Sequence, residues 1–370
     1  MKKFLCVATS FLMALTLTAC GSNGDSSKDD GKKEKSKADV VMITDVGTID
    51  DKSFNQGTWE GVKAYGEETG KKVEYIKPAE KSDNAYMESI DQAVKQYGAK
   101  VVVTPGYLFE KSVYEKQTQY PDVKFILIDG NPNDGNPDPE KAVFKTEKNT
   151  VGIKYAEQEA GYMAGYAIVK DGKTKLGFMG GMPVPAVVNF GLGFVQGAND
   201  AAKELGTKVD MKYTYTNSFN ATPEIQTQAA TWYKGGTEVI FACGGSIGNS
   251  VMAAAEASKG LVIGVDVDQS GESDTVITSA CKNLANSVTK ELKAIDDGTF
   301  PGGKNIVLAT KDDAIKLPIE NSKFEKFSKE DYEKLYNNVK DGKIEIKNND
   351  QAPEPTDLKA ANVNLEYIKN

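Results

Sequence analysis

The densest group of side chains capable of chemistry lies in the run TDVGTIDDKSFNQ, which spans Thr44 to Gln56. The run brings carboxylates, an aromatic ring and an amide into one turn and the start of one helix, in the residues Asp45, Asp50, Asp51, Phe54 and Asn55. Carboxylates and amides hydrogen-bond the polar edge of a small molecule or ligate a cation. An aromatic ring offers a face on which another flat ring stacks. The run therefore predicts a site for a small molecule or a cation.

Two absences restrict what such a site can do. The 370 residues contain no histidine, and the 45 basic side chains are all lysines because the sequence has no arginine. Without histidine, a Ser-His-Asp triad, a Cys-His pair and a histidine-based zinc site are excluded. Without arginine there is no bidentate fork for phosphate or for guanine edges. Because the net charge is also −8, nucleic acid is not an expected partner.

The elements that must position these side chains alternate between strand and helix from residue 39 onward. Apolar runs rich in β-branched residues alternate with segments of helical periodicity, which is typical of a parallel sheet covered on both faces. Ser53 and Gln56 have the spacing of a capping box and predict a helix from there to about Thr69. Asp50 and Asp51 precede that helix, where their charge favours its N-terminus, and we leave them out of the predicted site.

A loop crowded with proline, asparagine, aspartate and glycine interrupts the alternation between Gly130 and Glu140, and a second series follows it. The break predicts an α/β protein of two doubly wound parallel-sheet lobes rather than a single TIM barrel, which would need eight even units. Lobe 1 is predicted to comprise residues 39–149 and 279–305, and lobe 2 residues 150–278 and 306–350. Residues 351–370 are predicted to form a C-terminal tail on the surface.

Several polar residues or glycines follow directly on predicted strands. Open α/β sheets bind ligands beyond the carboxyl ends of their strands. Asp45, Asp129, Gly244 and Asp266 occupy such positions. Two lobes whose strand ends face each other would bring these residues into one cleft.

The N-terminus has the pattern of a bacterial lipoprotein signal. Lys2 and Lys3 precede an apolar run that is too short for a comfortable membrane span and ends in Leu-Thr-Ala-Cys at Cys20. We predict a signal peptide over residues 1–19, a lipid on Cys20 and a flexible tether over residues 20–38, which would place the protein on the extracytoplasmic face of the cell membrane. The alternative is an ordinary secretory signal with a chance cysteine. Of the remaining cysteines, Cys243 and Cys281 form either a disulfide or two buried free thiols.

A set of short motifs covers roughly residues 40–300 in order. They are Asp45-x-Gly47-x-x-Asp50-Asp51-x-Ser53-Phe54-Asn55-Gln56, Trp59-x-Gly61, Ile128-Asp129, Glu159-Ala160-Gly161-Tyr162-x-Ala164-Gly165, Gly177-Phe178-x-Gly180-Gly181-Met182, Phe190-x-x-Gly193-Phe194, Gly264-Val265-Asp266-x-Asp268-Gln269 and Thr278-Ser279-x-x-Lys282-Asn283. This set resembles the basic membrane protein family of lipoproteins, the purine nucleoside receptor group. The resemblance implies a type I periplasmic-binding-protein fold with a hinge, and no catalysis or cofactor. It also implies a nucleoside ligand and, as partners of a monomer, the permease and ATPase subunits of an ABC importer.

The resemblance also implies roles for individual residues. Phe54 would stack on the base, with Phe190 or, second, Phe241 on its other face. Asp45 and Asn55 would hydrogen-bond the base edge, with Asp129 nearby. Asp266 and Lys282 would hydrogen-bond the ribose, and the backbone of Gly244 would approach the sugar. Because carboxylates without arginine repel phosphate, a nucleoside fits better than a nucleotide.

Two other interpretations remain open. The run from Asp45 to Asp51 is similar to part of the calcium motif of nucleoside hydrolases, but Ile43 stands where that motif has its first aspartate, and the histidine of those enzymes is absent. A sugar or autoinducer receptor of the same fold is the second alternative. The chain also departs from the family at Gly245-Ser246-Ile247-Gly248 and Val187-Val188-Asn189, near the expected sugar, which leaves the particular nucleoside open.

Overall fold

The computed structural model describes residues 37–138 and 140–369. These residues form two lobes, each built on one sheet. The strands are β1 (Val40–Ile43), β2 (Val73–Ile76), β3 (Val101–Pro105), β4 (Lys124–Ile128), β5 (Thr150–Tyr155), β6 (Lys175–Gly180), β7 (Val209–Tyr215), β8 (Val239–Cys243), β9 (Leu261–Asp266), β10 (Val276–Lys282), β11 (Lys304–Leu308), β12 (Ile315–Lys316) and β13 (Val363–Ile368). The helices are α1 (Phe54–Thr69), α2 (Asp83–Lys95), α3 (Glu110–Gln119), α4 (Glu157–Lys170), α5 (Pro185–Leu205), α6 (Pro223–Lys234), α7 (Ile247–Ser258), α8 (Leu284–Asp296) and α9 (Lys329–Lys340).

The sheet of lobe 1 has the strand order β11-β5-β4-β3-β1-β2, and its strands are parallel. Alternate side chains of β1 enter different cores: Val40 and Met42 pack on one face, and Val41 and Ile43 on the other. All four are buried, which is the pattern of a strand covered on both faces. The prediction of a doubly wound parallel sheet is confirmed for this lobe.

The sheet of lobe 2 has the order β12-β10-β9-β8-β6-β7-β13, in which only the two-residue β12 runs antiparallel to its neighbour. Its strands also divide their side chains between two cores. Phe241 and Cys243 of β8 pack with Phe178, while Ile240 and Ala242 pack on the opposite face. Both lobes therefore point the carboxyl ends of several parallel strands toward the region between them.

The predicted boundaries between the lobes are wrong by several residues at each crossing. The strand β5 pairs with β4, and β11 pairs with β5, so both belong to lobe 1. The strand β10 pairs with β9 and belongs to lobe 2. The chain therefore crosses after Tyr155, after Lys282 and after Leu308. Lobe 1 comprises residues 39–155 and 284–308, and lobe 2 comprises residues 156–283 and 309–369.

The predictions for the two ends of the chain have different outcomes. The tail at 351–370 was expected on the surface, but it contributes β13, which pairs with β7 from Val363 to Ile368. Ala38, assigned to the tether, is buried, and its N–H donates to the Tyr97 carbonyl at 2.9 Å. The predicted signal peptide, Cys20 and the tether up to residue 36 lie outside the described residues. No helix formed by the described residues is long and apolar enough to cross a membrane.

Helices α4 and α5 pack with their backbones in direct contact. Glycines spaced four residues apart line this contact on both helices, namely Gly161 and Gly165 on α4 and Gly193 and Gly197 on α5. A Cβ atom at Gly161 would lie 2.0 Å from the carbonyl oxygen of Phe190, so no larger residue fits. This contact fixes Phe190 and the first turn of α4 beside the region between the lobes.

Candidate binding site

The largest group of predicted site residues meets in one cavity between the lobes. Its lining combines residues of both lobes. The predicted residues that line it are Asp45, Phe54, Asn55, Asp129, Phe190, Gly244, Asp266 and Lys282. Four of these follow strand ends, as expected. The site is therefore built where the carboxyl ends of the two sheets face each other.

Lys282 is the centre of the cavity's charged groups. Its ammonium donates to Asp129 Oδ2 at 2.5 Å and lies 3.5 Å from Asp266 Oδ1 and 3.7 Å from Glu157 Oε1. The Lys282 side chain is 1% exposed. One buried ammonium thus faces three carboxylates, one from lobe 1 and two from lobe 2.

Burial and mutual interaction shift the pKa values of three residues of this cluster, Asp129, Glu157 and Lys282. Burial raises the pKa of Asp129, against the opposing charge of Lys282. Burial likewise raises the pKa of Glu157 to about 7. Burial alone would lower the pKa of Lys282, but the charges of Asp129, Asp266 and Glu157 outweigh it and keep that pKa above its ordinary value. Lys282 is therefore a permanent cation beside carboxyl groups that take up protons readily.

The two strand-end aspartates have unusual backbones. Asp129 has φ 56° and Asp266 has φ 66°, in the left-handed region that residues with side chains seldom adopt. Aspartate tolerates this region better than most residues because its short side chain bonds locally. Both aspartates belong to the Lys282 cluster. Backbone strain of this kind is typical of functional sites.

The start of α1 is capped differently from the prediction. Ser53 makes no side-chain cap bond, so the predicted capping box is wrong. Asp51 caps the helix instead, because its carboxylate accepts from the backbone N–H groups of Ser53, Asn55 and Gln56 at 2.9–3.1 Å. Because both carboxylate oxygens of Asp51 accept these hydrogen bonds, Asp51 is poorly suited to ligate calcium, as the hydrolase interpretation would require. The Ser53 hydroxyl is directed across the cleft, where it donates to Asp266 Oδ2 at 2.5 Å.

Asp45 and Asn55 form one hydrogen-bonded unit in the lining of the cavity. Asp45 Oδ1 accepts from Gly47 N at 2.7 Å and from Asn55 Nδ2 at 2.9 Å, and Asn55 Nδ2 also donates to Asp51 Oδ2 at 2.9 Å. Both amide protons of Asn55 are thus used inside the protein, and its Oδ1 accepts from Asp45 N at 3.3 Å, so Asn55 orients Asp45. The predicted hydrogen bond from Asn55 to the base edge stays a prediction. Burial raises the pKa of Asp45 to about 6.

The aromatic residues of the cavity only partly match the prediction. Phe54 and Phe190 line it, and their ring centroids lie 4.8 and 5.5 Å from Lys282 Nζ. Phe241 does not line it, so its prediction as a stacking residue is wrong. It is fully buried two residues before the end of β8 and contacts Phe190 edge to face at 6.0 Å. Side chains in the middle of a strand pack in the core, and only those at its end reach the cleft.

The predicted site lacks several residues that the structure places there. Asp51, which the prediction left out, lines the cavity together with Tyr107 and Phe219, and Ser53 and Glu157 contact its charged cluster. Phe219 follows β7, and Tyr107 follows β3, so the rule that selected the strand-end aspartates also points to these aromatics. No signal in the sequence marks Glu157, because the first crossing was predicted too early.

The loop after β8 reaches the cavity through its backbone. A Cβ atom at Gly244 would lie 2.8 Å from Gly181 N, so the absence of a side chain is required for packing against the neighbouring strand end. Gly245 has φ 58°, where glycine is favoured. The predicted approach of Gly244 to a ligand stays a prediction. The cysteine before it, Cys243, and Cys281 are both buried free thiols, and the disulfide alternative is not realised.

Comparison with known proteins identifies the family. The family model described as "Bmp: ABC transporter substrate-binding protein PnrA-like" matches residues 38–350. The chain belongs to this family. Within the family, it is 28% identical over 367 residues to the ABC transporter nucleoside-binding protein BmpA of Lactococcus lactis subsp. cremoris, covering 94% of this chain and 99% of that protein. It is 33% identical over 299 residues to basic membrane protein A of Borreliella burgdorferi, covering 79% and 82%.

Solved structures confirm the fold. A solute-binding protein of an ABC transporter system from Aeropyrum pernix K1 superposes with a TM-score of 0.68 at 23% identity, covering 83% of this chain and 92% of that one. The protein is an ABC-transporter substrate-binding protein with the two-lobed type I periplasmic-binding-protein fold. This assignment agrees with a binding role rather than a catalytic one.

Proposed function

We propose that this protein is a lipid-anchored receptor that captures a purine nucleoside between its lobes and delivers it to an ABC transporter. The observation that carries the proposal is the arrangement around Phe54. Its ring lines the cavity together with Asp45, and the Lys282 ammonium lies 4.8 Å from the ring centroid. A nucleoside matches these groups, because its flat base with a polar edge would stack on Phe54 and its hydroxyl-rich sugar would bind the Lys282 cluster.

The charges of the cavity support a nucleoside over a nucleotide. Among the described residues, four aspartates, Asp45, Asp51, Asp129 and Asp266, line the cavity together with a single cation, Lys282. That cation is already paired with Asp129 and Asp266. A phosphate group would meet uncompensated negative charge in a low-dielectric space. Ribose hydroxyls, in contrast, donate to carboxylates and accept from the ammonium.

Asp45 supports a base with N–H donors on its edge. One of its oxygens is used by Gly47 and Asn55, and a Cβ atom at Gly106 would lie 3.4 Å from the other and 3.8 Å from Phe54 Cε1. The free oxygen and the edge of the aromatic ring therefore both face Gly106. A purine stacked on Phe54 would present its Watson–Crick edge there, with the larger stacking area that two fused rings provide.

The lipid anchor and the location rest on the sequence. The lipobox ending at Cys20 and the polar segment after it support a lipid-anchored protein on the extracytoplasmic face of the membrane. We expect a monomer that presents its closed form to the permease. In cells expressing the protein, Cys20→Ser should move it from the detergent phase to the aqueous phase of a detergent partition. Retention of the Cys20→Ser variant in the detergent phase would contradict the anchor.

The ligand is tested by thermal shift of the purified protein against adenosine, guanosine, inosine, uridine, ribose, glucose and AMP. Stabilisation grows as RT ln(1 + [L]/Kd), so a ligand at a hundred times its Kd adds about 2.7 kcal/mol. We expect shifts with purine nucleosides, smaller ones with uridine and none with AMP. A response to ribose or glucose alone would favour the sugar receptor instead. Release of free base would favour the hydrolase interpretation.

A further inference from the structure

One buried carboxylate of the charged cluster does not line the cavity. Glu157 is the first residue of α4, directly after the first crossing of the chain, and it is 3% exposed. Its Oε1 lies 3.7 Å from Lys282 Nζ, and its Oε2 accepts from Asn189 Nδ2 at 3.2 Å. Glu157 therefore approaches the ammonium from inside lobe 2, whereas a ligand would approach it from the cavity.

The partners of Lys282 are divided between the lobes. Asp129 follows β4 in lobe 1, while Asp266 and Glu157 belong to lobe 2 together with Lys282 itself. When a hinge opens the cleft, Lys282 loses Asp129, and Asp266 loses the Ser53 hydroxyl. The contacts that remain to the ammonium are those to Asp266 and Glu157. Only Glu157 of these two is free of any expected contact with a ligand.

We propose that Glu157 is a positioning residue of the cleft, which keeps the Lys282 ammonium in place while the cleft is open and makes closure dependent on one proton. The proposal rests on the proposed function only in that the cleft closes around a ligand. Its proton dependence is a property of the ligand-free protein as well.

The dependence on a proton follows from the charges that closure brings together. Besides Lys282 from β10, the titratable groups facing Glu157 are Asp129 after β4, Asp266 at the end of β9, Tyr155 from β5 and Cys243 from β8. None of them adds a second positive charge. Closure therefore brings the carboxylates of Asp129 and Glu157 to the same ammonium, and the resulting cluster has a net negative charge. A proton on Glu157 removes part of this negative charge.

The direction of the effect can be stated from the pKa of Glu157. In the closed cleft burial raises this pKa to about 7, and the nearby Asp129 adds to the rise. Opening removes Asp129, whose charge contributes to the rise, so the pKa of Glu157 falls in the open form. The closed form then binds the proton more tightly, and lowering the pH through about 7 favours closure. Raising the pH above 7 favours opening.

The test compares the full chain with Glu157→Gln and with the matched control Glu159→Gln. Glu159 lies two residues further along α4 and accepts from Thr310 N at 2.7 Å, outside the cluster. Without ligand, melting temperature and small-angle X-ray scattering are measured at pH 6, 7 and 8. With guanosine as the probe, Kd is measured by calorimetry at the same pH values.

In wild type and Glu159→Gln we expect guanosine binding to weaken from pH 7 to pH 8, by at most about tenfold, since one pH unit above a pKa corresponds to that factor. Glu157→Gln should bind equally well at pH 7 and 8, above the pKa of about 6 of Asp45, and its melting temperature should rise relative to wild type as the pH increases. Equal pH dependence in Glu157→Gln and wild type would overturn the proposal. So would a loss of stability in Glu157→Gln that is constant with pH.

A second variant tests the positioning role separately. Glu157→Ala removes the hydrogen bond from Asn189 and the contact to Lys282 as well as the charge, so we expect guanosine to bind about fivefold more weakly than to Glu157→Gln at pH 6, as for the loss of one hydrogen bond. Equal affinity of the two variants would refute positioning. If no nucleoside binds at all, the proposed function fails, and the ligand-free melting and scattering profiles still decide whether Glu157 controls closure.

Discussion

The hydroxyl of Ser53 lies 2.5 Å from Asp266 Oδ2, so a residue before the first helix of lobe 1 donates to a carboxylate at a strand end of lobe 2. Ser53 has no competing role in its own lobe because Asp51 caps α1. Two further contacts cross between the lobes nearby, since Gln269 Nε2 donates to the Lys52 carbonyl at 2.7 Å and Lys52 lies 3.5 Å from Glu272. The closed cleft is thus joined by polar contacts from the loop before α1.

Ser53→Ala should weaken ligand binding without lowering the stability of the free protein. A hydrogen bond to a charged group contributes about 1.5–3 kcal/mol, so we expect Kd to rise on the order of tenfold or more. Ser82→Ala is the matched control, since Ser82 caps α2 by accepting from Ala85 N at 3.2 Å. It should cost about 1 kcal/mol of stability and leave Kd unchanged. Calorimetry and thermal melting measure both; identical behaviour of the two variants would contradict the assignment.

Phe54→Ala should remove most of the ligand affinity. Stacking of a base on an aromatic ring contributes about 1–3 kcal/mol, which corresponds to a roughly fivefold to hundredfold rise in Kd. The melting temperature of the free protein should change little, because Phe54 is only half-buried at the start of α1. Phe144→Ala, at a phenylalanine that is 55% exposed in a loop, is the control and should leave Kd unaltered. Unchanged affinity of Phe54→Ala would exclude stacking on this ring.

Asp45→Asn should change how stability depends on pH between about 4 and 6. Because burial raises the pKa of Asp45 to about 6, the folded protein binds a proton that the unfolded chain has lost. Stability is therefore lost as the pH rises through this range, and Asp45→Asn should not show that loss. Asp50→Asn is the control, since Asp50 is exposed and hydrogen bonding lowers its pKa. The measurement is the denaturant midpoint at pH 4, 5, 6 and 7, and parallel curves for wild type and Asp45→Asn would disprove the prediction.

Gly161→Ala should destabilise lobe 2. The new Cβ atom would lie 2.0 Å from the Phe190 carbonyl oxygen, so α4 and α5 must separate, at a cost of about 1–3 kcal/mol. Gly248→Ala in α7 is the control, because the nearest atom to its Cβ is at 3.6 Å, and alanine favours a helix by about 1 kcal/mol over glycine. The melting temperature should fall for Gly161→Ala and rise for Gly248→Ala.

Removal of residues 351–370 should destabilise lobe 2 and promote aggregation. The deletion takes away β13 and the Tyr367 ring, which contacts Tyr213 at 5.5 Å, and it exposes the edge of β7. A chain ending at Ile368 keeps the strand and serves as control. Size-exclusion chromatography and thermal melting report the result, and a monomeric deletion variant with unchanged melting temperature would contradict it.

Much of the fold could be predicted because its central strands are continuous apolar runs. Runs such as Val101–Pro105 and Val239–Cys243 are buried at every residue. The peripheral strands lack that pattern. Lys154 interrupts β5, and β13 alternates polar and apolar residues and pairs with a strand about 150 positions away. These nonlocal pairings account for the misplaced lobe boundaries and for the missed C-terminal strand.

The prediction of the site succeeded for residues whose exposure is decided by their place in a strand. It failed for side chains that can form hydrogen bonds with several different groups. Asp129 and Asp266 follow strand ends and meet in the cavity. The hydrogen bonds of Ser53 and Asn55 depend on groups that become neighbours only after folding, and no spacing in the sequence encodes them.

The three chain crossings impose an order on synthesis. The sheet of lobe 1 takes its outermost strand, β11, from residues 304–308, and that of lobe 2 takes β13 from residues 363–368. Neither sheet is complete until most of the chain is available, so a nascent chain exposes the edge of β5 from residue 155 to residue 304 and the edge of β7 from residue 215 to residue 363. Both lobes therefore remain incomplete while the chain emerges gradually from a ribosome or a translocation channel. They are completed only when residues 304–308 and 363–368 have emerged.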